Sequence, residues 1–377
     1  MSDPAARPRR ALLLSGSIGM GHDALAAACA ATLEPRGFST QTLDAMRLLG
    51  RQGHSAGEAV FRTMLSIPGL FDALHFAALR PGGALARFAD SAASRQVVPR
   101  LRAHLDQHPA DLVISVFSTG AAAVSRLAER YPAMTHVVFC TDVTPHRLWV
   151  QRHVDLYLVT SAVAEAAVRR FEPDARVQIV PAPVRPAFYQ APSQAAARES
   201  LSVPHQERCV LLMSGAWGLG PVAAAAEALG HAGVHVLAVA GRNARLERRL
   251  AAVAAREPRV RAIGFTDRVP ELMAAADLVI TSSGDTCTEA RVVGRPLLLL
   301  DVVQGHGRDN LQHELELGHA GVTSPGPAAV VRTTLAALDR AKPAESPRFE
   351  PGPSAAAFEA AFSLALESIG QWSAASP

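Results

Sequence analysis

Short runs rich in Val, Ile and Leu alternate with Ala-rich stretches of helical period from one end of the chain to the other. Runs that are apolar at consecutive positions mark strands buried on both faces, so the pattern predicts parallel sheet covered by helices on both sides. The expected strands are 11–14, 39–43, 112–116, 136–140, 156–159 and 177–180, then 209–213, 234–239, 260–263, 278–281 and 296–300. The fold class is α/β.

Between the two series, Pro181, Pro183, Pro186, Pro192 and Pro204 interrupt any sustained apolar period, which predicts an interdomain linker with its boundary near residue 190. Each side restarts alike, with an apolar strand and then a glycine loop: Gly16, Gly19 and Gly21 after the first, Gly215, Gly218 and Gly220 after the strand at 209. The expectation is two Rossmann-like, doubly wound domains, 1–190 and 191–353, facing a cleft, with ligands at the carboxyl ends of the strands. An Ala-rich amphipathic helix at 354–369, in the closing segment 354–377, is expected to return to the first domain.

One stretch breaks the alternation. Residues 47–102 contain no convincing strand, and Val60, Phe61, Met64, Leu65, Leu70, Phe71, Leu74 and Phe76 fit helices. Arginines at 47, 51, 62, 80, 87, 95, 100 and 102 face only Glu58, Asp72 and Asp90, a local net charge of +5. Basic and apolar residues mixed in this way suit contact with an anionic membrane surface, or an ordinary amphipathic insertion with a solvated basic face.

Composition narrows the class. At 377 residues, 49% hydrophobic and 19% charged, the chain can bury a sizeable core and is neither disordered nor a disulfide scaffold. A net charge of +3 over this length is no nucleic-acid footprint. Cys29, Cys140, Cys209 and Cys287 form no CxxC pair, so reduced thiols are expected rather than bridges or metal ligands. Arg9 and Arg10 before an apolar run imitate an export signal, but Gly16, Gly19, Gly21, His22 and Asp23 interrupt its core, and no run is long enough to span a bilayer. A cytoplasmic protein is expected.

The first glycine loop ends in His22 at the start of a helix, where an imidazole can take a proton from a hydroxyl at neutral pH, or can simply cap and pack. The loop is not a GxGxxG, although Asp44 stands where the ribose-binding acid of an NAD site would. In the second half, Ser283, Gly284, Asp285 and Thr286 follow a strand and open a helix, an arrangement suited to a diphosphate. Glu289 then either accepts ribose hydroxyls or is one more acid near a helix start, and Arg242 either faces the diphosphate or is solvated. Ser214 with Gly215, Gly218 and Gly220 forms a second loop of the phosphate-facing type.

Residues 19–26, reading Gly-Met-Gly-His-Asp-Ala-Leu-Ala, resemble the GxGHxxAA opening of the diacylglycerol glycosyltransferases, the monogalactosyldiacylglycerol synthases and processive diacylglycerol glucosyltransferases. Thr141 and Asp142 with His146, Trp149, Val154 and Asp155 resemble that family's next block, and residues 183–188 its PVRPxF hinge. Gly241, Arg242 and Asn243 match its CGRN turn, and 264–281 is similar almost throughout to GFxDxxPELMxxSDLVIT. The resemblance implies a GT-B architecture and a metal-independent, inverting hexosyltransferase that needs no cofactor. The substrates implied are a UDP-sugar and a lipid hydroxyl of the diacylglycerol kind, at the cytoplasmic face of the membrane.

It also implies site residues. The acceptor would meet Gly19, Gly21 and Trp149 of the first domain, with His22 as base. Asp142 and His146 would orient that base or bind the acceptor, or else hydrogen-bond around Trp149. The donor would meet Gly215, Gly218, Arg242, Asn243, Phe265, Thr266, Ser283, Gly284, Thr286, Glu289, His306 and Asn310. This chain departs from the family's PGQExxN at His306 and Gly307, which bears on the sugar, and it carries Asp285 where a neutral residue is usual. A soluble or other lipid-linked acceptor, or a nucleotide-sugar-binding protein without transfer chemistry, are the alternatives.

Overall fold

The computed structural model describes residues 8–16, 21–49, 84–213, 220–302, 306–318, 320–340 and 354–370, with backbone alone at 84–95 and 306–307. Gly19, Gly215, Gly218, the His306 side chain and residues 50–83 of the basic segment lie outside that description.

The described chain folds as two compact units, one running to Pro183 and resuming at Ala355, the other spanning Val184–Ser354. The first holds a parallel sheet of β1 (Arg9–Ser15), β2 (Phe38–Asp44), β3 (Leu112–Ser115), β4 (Thr135–Phe139), β5 (Leu156–Val159) and β6 (Val177–Ile179), in the order β2-β1-β3-β4-β5-β6. The second holds β7 (Cys209–Met213), β8 (His235–Val239), β9 (Val260–Ile263), β10 (Leu278–Thr281), β11 (Leu297–Leu300) and β12 (Ala320–Thr323), in the order β12-β11-β10-β7-β8-β9. Each of the strands expected from the pattern is present. β12 was not expected, because a four-residue edge strand reading Ala-Gly-Val-Thr, buried only at Thr323, carries no apolar run.

Helices cover both faces. In the first unit these are α1 (Gly21–Leu33), α2 (Ala84–Gln107), α3 (Ser118–Ser125) and α4 (Ala162–Phe171). In the second they are α5 (Pro186–Tyr189), α6 (Gln194–Ser200), α7 (Val222–His231), α8 (Ala244–Ala254), α9 (Val269–Ala275), α10 (Asp285–Val293), α11 (His306–Glu316) and α12 (Pro327–Arg340). The last, α13 (Ala355–Glu367), packs back onto the first unit, where Phe358 stacks on Phe139 and on Phe362. Alternation along each strand sorts the core into two faces. Ala11 and Leu13 pack with α1 and α13, while Leu12 and Leu14 pack with Val97, Leu101 and Leu105 of α2.

The proline-rich stretch is not a linker. Val184, Phe188, Ala197, Leu201 and Val203 belong to the core of the second unit, so the division falls at Pro183 rather than near residue 190. Prolines there start α5 and separate short helices, which hides an apolar period that buried side chains nevertheless follow.

An aspartate clasp repeats at the amino ends of the sheets. Asp111 immediately precedes β3; its N–H donates to Arg10 O at 2.9 Å, and the Arg10 N–H donates to its Oδ2 at 2.7 Å. Asp155, before β5, exchanges the same pair with His136 of β4 at 2.8 Å each way. Asp277, before β10, does so with Cys209 of β7 at 2.7 and 2.8 Å. Asp277 also accepts from Arg198 Nη2 at 2.8 Å, a guanidinium only 5% exposed that donates further to the carbonyls of Ala275 and His205. Losing the carboxylate leaves that buried cation without its counter-charge. Asp277→Ala is therefore expected to cost about 2–3 kcal/mol in urea unfolding, the lower part of the range because one partner is partly solvated.

His136 is fully buried, with Nε2 3.1 Å from Ser115 Oγ, and burial pushes its imidazole down to about 3 from an ordinary 6.5. A lowered folded-state value gives stability that is complete above pH 6.5 and drains away as pH falls towards 3. Thermal melts between pH 7 and 4 should therefore fall more steeply in the wild type than in His136→Gln, and parallel curves would contradict this.

Candidate functional site at the two switch points

In doubly wound sheets ligands sit at the carboxyl ends of the strands where the strand order reverses. The first unit reverses between β1 and β3, the second between β7 and β10.

At the first switch point β1 runs into Gly16 and, beyond the loop, into α1 with His22 in its first turn. β3 runs into Phe117, the residue capping α3. The His22 and Phe117 rings meet edge to face with centroids 5.1 Å apart, and the Trp149 ring lies 6.5 Å from His22 on another side. A side chain at residue 16 would enter the Phe117 ring, because an added Cβ would stand 2.4 Å from it, so the first glycine is set by this crossing of two loops. Asp23 accepts from the buried Ser15 hydroxyl, tying α1 to the end of β1.

Asp142 accepts from Trp149 Nε1 at 2.8 Å, and His146 Nε2 stands 3.7 Å from the same carboxylate oxygen. His146 Nδ1 accepts from the Leu148 N–H at 3.3 Å, which leaves the imidazole hydrogen on the nitrogen facing Asp142. This cluster touches His22 through the Trp149 ring. The Nδ1 of His22 is buried without a hydrogen-bond partner among the described residues, so neither Asp142 nor His146 is bonded to that nitrogen. Trp149, expected among the acceptor contacts, is 2% exposed, with its ring 6.5 Å from His22 and its Nε1 on Asp142. Asp44, the candidate for a dinucleotide site, accepts from the Met46 N–H at 2.8 Å and pairs with Arg47, which makes it a turn residue.

At the second switch point β10 ends in the buried Ser282 and Ser283, and Gly284 opens α10 with no side-chain cap. An uncapped helix start presents N–H groups and a positive dipole end to an anion. Glu289, on the second turn, has a side chain 16% exposed; burial pushes its carboxyl up to about 7, against the pull of Arg185 and helped by Asp285. Arg185 Nη2 stands 3.8 Å from Glu289 Oε1. Asn310 on α11 has its Oδ1 buried without a partner among the described residues.

Further along the same sheet, the Arg242 guanidinium lies 4.7 Å over the Phe265 ring, which is 56% exposed. Two neighbours expected to meet the donor are engaged locally. Asn243 Oδ1 accepts from the Leu246 N–H at 3.0 Å and caps α8, and Thr266 Oγ1 accepts from the Arg268 N–H at 3.1 Å in a turn. Sequence reasoning missed Phe117, and it read Arg185 only as part of a hinge; an aromatic and an arginine at loop ends give no periodic signal. Among the described residues no three His, Cys, Asp or Glu side chains gather to hold a metal ion, and no helix is long and apolar enough to cross a membrane.

Residues 78–184 match the family model of monogalactosyldiacylglycerol (MGDG) synthase. Residues 219–325 match the glycosyltransferase family 28 C-terminal domain. Both halves of the chain are thus similar to glycosyltransferases, and the first to the diacylglycerol-specific kind. The chain is 31% identical over 230 residues to a probable chloroplastic monogalactosyldiacylglycerol synthase of Nicotiana tabacum, a match covering 57% of this chain and 43% of the relative. With a processive diacylglycerol beta-glucosyltransferase of Bacillus subtilis it shares 29% over 230 residues, 60% of each chain. The chain thus spans less than half of the plant relative and under two thirds of the bacterial one. The crystal structure of Acinetobacter baumannii MurG overlaps 88% of this chain and 91% of its own with a TM-score of 0.56 at 17% identity, a likeness of fold, the GT-B one. The first family model takes in Asp142, His146 and Trp149, and the second takes in Arg242 through Asn310.

The Gly16 contact gives a direct check. Gly16→Ala must push Phe117, and with it the His22 ring; overpacking of this kind costs about 1–3 kcal/mol. Denaturant unfolding should register the loss and the His22 ring resonances should shift. An unperturbed His22 spectrum would show that the loops do not cross as described.

Proposed function

We propose that the chain is a UDP-sugar-dependent hexosyltransferase that moves a hexose to the hydroxyl of a diacylglycerol-like lipid at the cytoplasmic membrane face, with inversion and without a bound metal. The observation that carries this reading is the pairing of contents at the switch points: an imidazole at one, an uncapped helix start with a buried glutamate at the other. The printed names of the relatives supply the substrate class by analogy.

In this reading the acceptor hydroxyl gives its proton to His22 while its oxygen attacks the anomeric carbon. The bond from that carbon to the diphosphate oxygen breaks, and the electron pair leaves with the nucleoside diphosphate. For Nε2 of His22 to be the basic nitrogen, Nδ1 must carry the hydrogen. The amides opening α10 stabilise the departing charge, and Glu289 accepts the ribose hydroxyls. Phe265 with Arg242 over it offers a flat cationic platform at the carboxyl end of β9, suited to a base or a diphosphate. The basic residues of 47–102 supply the contact with an anionic membrane surface, and no nucleic acid is involved.

Calorimetric titration with UDP, UDP-glucose, UDP-galactose and UDP-N-acetylglucosamine tests the donor half. Micromolar UDP binding that is lost in Glu289→Ala is expected, and the tightest sugar names the donor; absence of UDP binding would remove the basis of the reading. With that donor and diacylglycerol in anionic vesicles, His22→Ala should lower turnover about 100-fold or more. Transfer that is indifferent to the substitution would sink the assignment of the base, and transfer indifferent to anionic lipid and salt would redirect the search to a soluble acceptor.

A further inference from the structure

Residues 183–188, Pro-Val-Arg-Pro-Ala-Phe, build a mount for one side chain. Arg185 precedes a proline and so is held extended, at φ −57° and ψ 141°, while Pro186 starts α5. Phe188, one turn on, is 1% exposed in the core of the second unit, and its ring lies 5.0 Å under the Arg185 guanidinium. The arginine is therefore fixed at both ends of its stem, with its charge towards α10.

What it faces there is Glu289, at 3.8 Å. That separation is an ion pair beyond hydrogen-bond range, so both carboxylate oxygens keep their capacity to accept. Other charges near Glu289 do not substitute for Arg185. Asp285, one turn earlier on α10, is of the same sign. Arg291 on the same helix is paired with Glu314 of α11 and donates to Thr288. Of the elements packed on α10, α5 brings Tyr189, whose hydroxyl accepts from the Val184 N–H, α9 brings Glu271, already paired with Arg268 at 2.6 Å, and β10 brings no ionisable group.

We propose that Arg185 is a positioning residue for the nucleotide: its guanidinium holds Glu289 as a carboxylate, so that Glu289 accepts hydrogen bonds from both vicinal hydroxyls of a ribose and selects ribose over 2′-deoxyribose at neutral pH. This rests on the reading of Glu289 as the ribose contact. A carboxylate accepts at both oxygens, whereas a protonated acid must turn one of them into a donor. Removing the cation leaves burial and Asp285 unopposed, both of which favour the protonated form. The pH dependence of nucleotide affinity would then move to higher pH than in the wild type.

The test compares wild type, Arg185→Lys, Arg185→Met and Glu289→Gln, each checked for folding by its melting curve, in calorimetric titrations with UDP and 2′-deoxy-UDP from pH 6 to 9. Separately, the side-chain carboxyl of Glu289 is titrated by carbon-13 NMR without nucleotide. A rise of one unit in the Glu289 midpoint, from about 7, weakens UDP about fivefold at pH 7 in Arg185→Met and leaves almost no difference at pH 9. Arg185→Lys should recover part of the loss, Glu289→Gln should bind independently of pH, and the preference for UDP over 2′-deoxy-UDP should shrink at pH 7 in Arg185→Met. Weakening by the same factor at every pH would mean that Arg185 touches the nucleotide itself, and unchanged affinity would mean that it does nothing for binding; either overturns the proposal. Failure of the wild type to bind UDP would sink the ribose reading, while an unmoved carboxyl titration in Arg185→Met would sink the hold of Arg185 on Glu289 whatever the nucleotide does.

Discussion

Parallel strands have no hairpin to set their register, and in this chain the register of the strands that flank each switch point is fixed by a carboxylate. Asp111 locks β3 to β1 and Asp277 locks β10 to β7, each through a reciprocal pair of bonds at the amino end. A slip of one residue would turn every side chain to the opposite face and move the carboxyl end by roughly 3.3 Å. The loops carrying His22 and Phe117 in one unit, and Gly284 in the other, are placed by those same strands. The clasp lies at one end of the sheet and the candidate site at the other, with buried stretches of the strand pair as the spacer between them.

That geometry explains why the polar residues at the candidate site can be arranged at some cost. Glu289 is buried enough to be pushed towards neutrality, and the Nδ1 of His22 is buried without a partner among the described residues. Unsatisfied or desolvated groups of this kind are expensive. They are tolerated where packing around them is over-determined, and here the crossing of Gly16 with Phe117 and the buried Trp149 supply that packing.

The fold was legible because most of its strands are short runs of consecutive Val, Ile and Leu between turn residues, and each expected strand formed. What escaped was either too short to carry a pattern, as in β12, or masked by prolines, as in residues 184–203. The candidate site residues stood out in the sequence where chemistry and position coincide: His22 lies in the first turn of a helix that follows a strand, and Glu289 in the second turn of another. Trp149, expected as an acceptor contact, is buried, and Asn243 and Thr266, expected as donor contacts, also hold a helix start and a turn. A polar side chain in a loop has the same spelling whether it turns to the ligand or to its own backbone.

The longest stretch of family likeness, residues 264–281, makes the point sharply. Gly264 leaves room for Glu247, Thr266 closes a turn, Glu271 pairs with Arg268, and Leu272 through Ala276 and Leu278 through Thr281 are buried. Asp277 is the clasp. Apart from the exposed Phe265, these residues build β10 and its approach rather than a pocket for a sugar. The likeness of this stretch to the family pattern therefore speaks for the architecture and for the placement of the loop that follows. In the proposed transferase the choice of sugar then falls to residues outside this stretch, His306 and Gly307 among them.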